Sequence, residues 1–181
     1  MNIKWKNPKQ PHMQIREKDG VTWLAYPAFE ALPGILHGFS TRLGGVSQGI
    51  FSSMNLSFTR GDDPDAVMEN YRRIGQAIGF TPDQIVCSDQ THTVNVRRVT
   101  AKDRGRGILR ERGYTDVDGL VTDEPDVVLA TFYADCVPLF FVDPVKKAIG
   151  LSHSGWRGTV GKIGKVTVEK MTEEFGSDPA D

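Results

Sequence analysis

The most informative segment of this chain runs from residue 136 to residue 153 and reads CVPLFFVDPVKKAIGLSH. Two apolar runs, residues 137–142 and 148–152, flank Asp143-Pro144-Val145-Lys146, a pattern typical of a type I turn. The pattern predicts an antiparallel hairpin in which Asp143 opposes Lys146 and Cys136 therefore opposes His153. Directly opposed residues point to the same face of a sheet, with Cβ atoms about 5 Å apart. Both runs are apolar on both faces, as in strands that lie inside a layered structure.

The turn is the sensitive part of this prediction. Two-residue hairpins prefer primed turns, and Pro138 could introduce a bulge. A slip of one residue would move Cys136 and His153 to opposite faces of the hairpin.

A third residue, His92, also lies at the edge of a β-like apolar run. Two imidazoles and one thiolate form a typical zinc ligand set, and three protein ligands leave a fourth position for water or substrate. The sequence thus predicts a metal site at His92, Cys136 and His153. The alternative from residue types alone is two surface histidines and a buried structural cysteine.

Composition places the chain among ordinary globular proteins. It has 181 residues, of which 39% are hydrophobic and 25% charged, with a formal net charge of −1. No global charge attracts it to nucleic acid or an anionic membrane, and no apolar run approaches the roughly 20 residues of a membrane span. We expect no nucleic-acid or membrane partner. The two cysteines and the absence of an apolar leader in the sequence favour a cytoplasmic location.

The remaining pattern predicts an α+β fold, a layered sandwich with a mixed or antiparallel β-sheet core flanked by helices. The clearest helix is expected over residues 64–78, capped by Asp62 or Asp63 and ended by Gly79. Further strands are predicted over residues 21–29, 35–40, 93–99, 119–122 and 127–133, and a last helix over 159–175. Residues 101–113 are basic and glycine-rich and are predicted to be a mobile, solvated surface loop.

Two regions are expected along the chain: a flexible tail over residues 1–19, including His12, and a single domain over residues 20–181. Residues 175–181 read as a helix stop followed by a loop that leads further. The domain is therefore expected to be truncated at its C-terminus.

Several polar residues are candidates for substrate binding. Ser40 and Arg42, with the glycines after them, could form an anion-binding turn, or a plain hairpin turn with an exposed arginine. Asp135 could orient His153 or His92, or act as acid or base, or simply end a strand. Asn55 and Gln90 could contact a base or ribose, or satisfy backbone groups. Arg157, beside Trp156, could wall the pocket or cap a loop.

These residues lie in blocks that resemble the YfiH family, also called the laccase-domain-containing family, with an older label of polyphenol oxidase and a newer one of purine nucleoside phosphorylase. The resemblance covers residues 35–175 and rests on six ordered blocks: HGFSTR with GGVSQG (37–49), MNL (54–56), QTH (90–92), DGLVT (118–122), ADCVP (134–138) and HSGWRG (153–158). It implies zinc at His92, Cys136 and His153. Members of the family carry a further C-terminal segment that is absent from this sequence.

The function implied by the resemblance is that of a zinc-containing purine nucleoside phosphorylase acting on nucleoside and phosphate. The substrates expected are adenosine, inosine and guanosine, with adenosine deaminase and methylthioadenosine phosphorylase as further activities. Catalytic roles then fall to Cys136, His153 and Asp135, and substrate contacts to Ser40, Arg42, Asn55, Gln90 and Arg157. Copper could substitute for zinc.

Two alternatives stay open. One is a metal-free cysteine hydrolase or amidase, with Cys136 as nucleophile and His153 as base. The other is the copper-binding polyphenol oxidase of the older label. A multicopper oxidase, however, needs more histidines than the four in this chain.

Overall fold

The computed structural model describes residues 13–181, so the first part of the predicted tail, with His12, lies outside the described residues. The chain divides into two compact units, one ending at Thr81 and one beginning at Pro82. Within the predicted tail, Gln14–Lys18 forms strand β1.

The first unit contains a three-stranded antiparallel sheet. Strand β1 pairs with β2 (Val21–Ala25), and β2 pairs with β3 (Phe39–Ser40). Both predicted strands in this region are shorter than expected. The first ends because Pro27, whose fixed φ suits the first turn of a helix, starts the short helix α1 (Pro27–Glu30).

Helix α2 (Pro64–Ile78) confirms the clearest helix prediction at both ends. Asp63 caps it by accepting a hydrogen bond from the backbone N of Asp65 at 2.9 Å, and Gly79 ends it with a left-handed φ of 117°. Its apolar face packs Ile74 and Ala77 against Val21 and Met54 in the core of the first unit.

The second unit holds two sheets. Strands β4 (Ile85–Cys87) and β7 (Val128–Ala130) form a parallel pair. The larger sheet has the order β5 (Val96–Arg98), β6 (Gly119–Thr122), β9 (Ala148–Ser154), β8 (Val137–Asp143). Its β5–β6 pair is parallel and its other pairs are antiparallel, so the sheet is mixed. The α+β class predicted from the sequence is confirmed.

Two helices replace the predicted last helix. Helix α3 (Trp156–Val160) and helix α4 (Ile163–Phe175) are separated at Gly161 and Lys162, and Lys162 adopts a left-handed φ of 62°. Helix α4 covers one face of the larger sheet, where Met171 packs against Val121 and Ala148.

The β8–β9 hairpin is present, but its predicted register is wrong by two residues. Asp143 pairs with Ala148 and Pro138 pairs with His153. The turn occupies four residues, 144–147, and ends with Lys147 at a left-handed φ of 56°. Because side chains alternate with a period of two, this shift leaves Cys136 on the face that holds His153.

The basic segment between β5 and β6 is held to its own unit by its arginines. Arg104 pairs with Asp83 at 2.7 Å and Arg112 with Asp89 at 2.8 Å. Arg106 pairs with Asp103 at 3.0 Å. The arginines of this segment, which was predicted to be a mobile loop, are therefore paired with neighbouring carboxylates.

Across the described residues, 13–181, none of the helices combines the length and the apolar character that crossing a membrane requires. Both cysteines are free thiols, and Cys87 is fully buried in β4.

Candidate metal centre

His92, Cys136 and His153 converge in the second unit as the sequence predicted. One ligand atom from each residue lies within 4.8 Å of the others. The sulfur of Cys136 is 3.8 Å from Nε2 of His92. Zinc bond lengths of about 2.0–2.1 Å to nitrogen and 2.3 Å to sulfur place tetrahedral N and S ligands about 3.6 Å apart. The donor set and its spacing therefore fit one tetrahedral metal ion.

Three separate elements supply these side chains. His153 lies in β9 and is buried, with 4% of its surface exposed. Cys136 directly precedes β8 and is half-buried, whereas His92 lies in the turn before β5 and is exposed. His92 has a left-handed φ of 66°. The cluster therefore runs from the interior of the sheet to the solvent.

A buried carboxylate organises the inner side of the cluster. Oδ1 of Asp118 lies 2.7 Å from Nδ1 of His153, which leaves Nε2 of His153 as the ligand atom. Oδ2 of Asp118 accepts hydrogen bonds from the backbone N of Thr91 and of Thr93, both at 2.9 Å. Sequence reasoning gave Asp118 no role, because its position before an apolar strand does not show which side chain it contacts.

Of the two histidines that Asp135 was predicted to orient, His153 has its Nδ1 atom held by Asp118 instead. Asp135 is exposed, and its Oδ1 lies 3.7 Å from the Cys136 sulfur. Desolvation, followed by the charge of Asp135, raises the pKa of the Cys136 thiol. Without a cation this site therefore disfavours the thiolate, whereas a bound metal ion stabilises it.

Gly155, which lies between β9 and α3, borders the cluster. A Cβ atom built on Gly155 would lie 2.6 Å from Cδ2 of His92 and 3.1 Å from the Cys136 sulfur. Any larger residue at this position would require His92 or Cys136 to shift.

Aromatic rings border the histidines. The Tyr133 ring lies 5.5 Å from the His153 ring, and the Tyr133 hydroxyl donates to the backbone O of Ser152 at 3.2 Å. Trp156 follows Gly155 and is 70% exposed. The guanidinium of Arg157, a predicted substrate residue, lies over the Trp156 ring at 5.1 Å.

Gln90 is committed to the protein backbone. Its Nε2 donates to the backbone O of Phe132 at 2.6 Å, and its Oε1 accepts from the backbone N of Phe132 at 2.7 Å. This matches the backbone-satisfying alternative for Gln90, and it fixes the segment that carries Tyr133.

The other predicted substrate residues belong to the first unit. Ser40 lies in β3, opposite Trp23. The Arg42 guanidinium donates to the backbone O of Ser52 at 2.8 Å and of Ile50 at 3.1 Å. The Asn55 side chain donates to Asp62 at 2.9 Å and accepts from the backbone N of Ser57 at 3.1 Å. Arg42 and Asn55 thus both stabilise loops of their own unit.

Comparison with known proteins assigns the family. The profile of the family described as "Multi-copper polyphenol oxidoreductase laccase" matches residues 36–181. The chain belongs to this family. Among its relatives, purine nucleoside phosphorylase YlmD of Bacillus subtilis (strain 168) is 42% identical over 148 residues, which is 81% of this chain and 53% of the relative. A purine nucleoside phosphorylase of Deinococcus radiodurans is 44% identical over 143 residues, 79% of this chain and 52% of the relative.

Solved structures of the laccase-domain family share the fold. The crystal structure of YlmD from Geobacillus stearothermophilus matches with a TM-score of 0.79 and 39% identity, covering 89% of this chain and 58% of that chain. The Bacillus licheniformis protein YfiH matches with a TM-score of 0.81 and 32% identity, covering 92% and 61%. The chain spans about half the length of the curated relatives it matches.

Proposed function

We propose that this laccase-domain chain carries the metal centre of a purine nucleoside phosphorylase, with one zinc ion held by His92, Cys136 and His153. The convergence of these three ligand atoms within 4.8 Å is the observation that supports the proposal. The family relatives named purine nucleoside phosphorylase supply the reaction class.

In phosphorolysis, a phosphate oxygen forms a bond to the anomeric carbon of ribose while the bond to the purine nitrogen breaks. The products are ribose 1-phosphate and the free base. Positive charge develops on the sugar and negative charge on the leaving purine, so the site must stabilise both. Bound zinc would act as a Lewis acid and would lower the pKa of a coordinated water to about 7.

The protein groups proposed to act are those that face solvent beside the cluster. Arg157 is proposed to hold phosphate, because guanidinium groups bind phosphate through paired hydrogen bonds and this one lies on the exposed Trp156 ring. Asp135 is proposed to accept a proton from an attacking water in adenosine deamination. Arg42 would have to release the carbonyls of Ser52 and Ile50 before it could bind phosphate.

The finer substrate range is part of the proposal: adenosine, inosine and guanosine for phosphorolysis, methylthioadenosine as a further substrate, and adenosine for deamination. The chain lacks the His-x-Glu and Pro-Cys-x-x-Cys motifs of ordinary zinc nucleoside deaminases. Deamination would therefore depend on the His92–Cys136–His153 centre.

The metal-free hydrolase has one observation in its favour. The Asp118–His153 pair resembles the orienting pair of a catalytic triad. The raised pKa of Cys136 opposes it, because a nucleophilic cysteine needs a lowered pKa. The position of His92 in the cluster also argues against a hydrolase, since a catalytic thiol–imidazole pair needs only one histidine.

Metal content and activity test the proposal together. Elemental analysis of the purified protein is expected to find about one zinc per chain, and His92→Ala to lose it. His37→Gln is the matched control, because it removes an imidazole that is not a member of the cluster and keeps a hydrogen-bond acceptor for the backbone N of Tyr26.

Purine release from inosine or adenosine should require phosphate and should fall with the zinc content. One copper in place of zinc would favour the older family label. Absence of metal from the wild type, with rapid alkylation of Cys136, would favour the cysteine hydrolase.

A further inference from the structure

We infer that Asp118 is a positioning residue that sets two of the three metal ligands at once, the ring tautomer of His153 through one oxygen and the backbone of the His92 turn through the other. The inference rests on the proposed metal site. Its contacts, however, can be tested in the metal-free protein.

The first half concerns the proton on His153. A neutral imidazole carries one N–H and one acceptor nitrogen, and an ionised carboxylate can only accept. Oδ1 of Asp118 lies 2.7 Å from Nδ1 of His153, and both side chains are buried, at 0% and 4% exposure. The proton is therefore held on Nδ1, and the lone pair of Nε2 is free to coordinate a metal.

The second half concerns the turn that carries His92. Its left-handed φ of 66° lies in a region that residues other than glycine rarely adopt, so the turn is strained. The amides on either side of His92, those of Thr91 and Thr93, both donate to Oδ2 of Asp118 at 2.9 Å. One carboxylate oxygen thus holds the backbone on both sides of the exposed ligand and keeps the strained turn in place.

The charge of Asp118 also points to a cation. Burying a carboxylate is costly unless it is compensated. Within residues 13–181, the ion-pair partner found for Asp118 is His153. A metal ion held by Nε2 of that ring would supply compensating positive charge, and the hydrogen bond from Nδ1 to Asp118 would raise the basicity of Nε2 as a ligand.

Asp118→Asn separates the two halves. The two amide donors of Thr91 and Thr93 require an acceptor, so the carbonyl oxygen of the asparagine is expected to face them. Its NH₂ group then faces His153 and donates a hydrogen bond, which only an unprotonated Nδ1 can accept. The proton of His153 moves to Nε2, where it blocks coordination, while the His92 turn keeps its contacts.

The experiment is ¹⁵N NMR of the histidine side chains in the full, metal-free chain at about pH 8, above the ordinary imidazole pKa of about 6.5. The His153 signals are assigned by comparison with His153→Gln. Wild-type protein is expected to show His153 with its proton on Nδ1, and Asp118→Asn to show it on Nε2. Zinc affinity, measured by competition with a chelator, is expected to fall about 10–100-fold in Asp118→Asn.

Asp116→Asn is the matched control. It removes a carboxylate that binds the side chains of Thr91 and Asn95 in the same turn, and the contacts found for Asp116 include no histidine. Its His153 tautomer is expected to stay as in the wild type, with zinc affinity changed by less than 3-fold, since at most one hydrogen bond of the turn is lost.

The wild-type spectrum tests the inference even if Asp118→Asn folds poorly. A proton on Nε2 of wild-type His153 would overturn it, and so would an Asp118→Asn protein that binds zinc as tightly as the wild type. Failure of the proposed function looks different. If the wild type shows the expected tautomer and binds zinc more tightly than Asp118→Asn but catalyses no phosphorolysis, the role of Asp118 stands and the phosphorylase proposal is wrong.

Discussion

Gly155 shows how little space surrounds the ligands. Gly155→Ala would push a methyl group against Cδ2 of His92 and the Cys136 sulfur, at 2.6 and 3.1 Å. We expect zinc affinity to fall about 10–100-fold, the range typical of residues that support metal ligands. The measurement is chelator competition on the purified variant.

Gly158→Ala is the control for this substitution, because the same methyl group would meet Ile163 at 3.4 Å, an ordinary contact. Gly158 lies within helix α3, where alanine is favoured over glycine by roughly 0.5–1 kcal/mol. Its zinc affinity should match that of the wild type. Equal affinities for both variants would show that His92 and Cys136 tolerate displacement.

The two thiols should differ in their reaction with an alkylating agent in metal-free protein. Desolvation and Asp135 raise the pKa of Cys136 above the ordinary cysteine value of about 8.5. At neutral pH the Cys136 thiolate is therefore scarcer than that of a free cysteine. The alkylation rate should still be rising as pH passes 9, and zinc should suppress it.

Cys87 provides the internal comparison. It is fully buried, and burial raises its pKa to about 12. Cys136→Ser protein should therefore react only after denaturant is added. A Cys136 rate that levels off below pH 8 would mean that its thiolate is stabilised without metal.

Residue types alone were enough to nominate His92, Cys136 and His153, because few combinations of ligands suit zinc so well. They were not enough to find Asp118. Asp135 is adjacent to Cys136 along the chain but is exposed, whereas Asp118 is remote in sequence and touches His153 directly. A buried polar contact depends on how strands β6 and β9 pair, and the sequence alone does not give that register.

The β8–β9 hairpin explains why Cys136 and His153 still lie on one face despite an error in the predicted turn. The expected two-residue turn is in fact four residues long, so every pairing moves by two positions. An even displacement preserves the face of each side chain, whereas an odd one would have separated Cys136 from His153. Strand positions followed from apolar runs, but turn length depends on local backbone conformations such as the left-handed Lys147.

Asp143 is expected to stabilise this turn. Its buried carboxylate accepts from the backbone N of Val145 at 2.9 Å and of Lys146 at 2.8 Å. Burial alone would raise the pKa of Asp143, but the nearby Ser177 side chain and the hydrogen bonds from the backbone N of Lys146 and Val145 outweigh burial, and the pKa is lowered. Asp143→Ala should reduce the free energy of unfolding by about 1.5–3 kcal/mol, as for hydrogen bonds to a charged group.

Urea denaturation at neutral pH measures this loss, and Asp143→Asn is the comparison because it keeps an acceptor oxygen. The lowered pKa also gives a direction with pH. The contribution of the carboxylate is full above the unfolded-state pKa of about 3.9 and is lost as pH falls through the lower folded-state value. An Asp143→Ala loss that is the same at neutral and strongly acidic pH would contradict the role of the charge.

The division into two units predicts which part of the chain a bound metal ion should stabilise. All three ligands and Asp118 lie in the unit that begins at Pro82. A ligand stabilises the cooperative unit that binds it, by about 2.7 kcal/mol at a concentration 100 times its Kd. Hydrogen exchange with and without zinc should therefore show added protection in residues 82–181 and little in residues 13–81. Equal added protection in both would show that they unfold as one.

The ligands also differ in how early they can meet as the chain folds. Cys136 and His153 flank a hairpin closed by a four-residue turn, a local contact that forms on the microsecond timescale typical of hairpins. His92 joins them only when β5 pairs in parallel with β6, a long-range step that is slow because a large loop must close first. A refolding chain should therefore hold a two-ligand half-site before it holds a complete one. The time at which the refolding protein first retains zinc against a chelator would therefore report when the larger sheet is complete. Bound zinc would thus measure the rate of the last folding step.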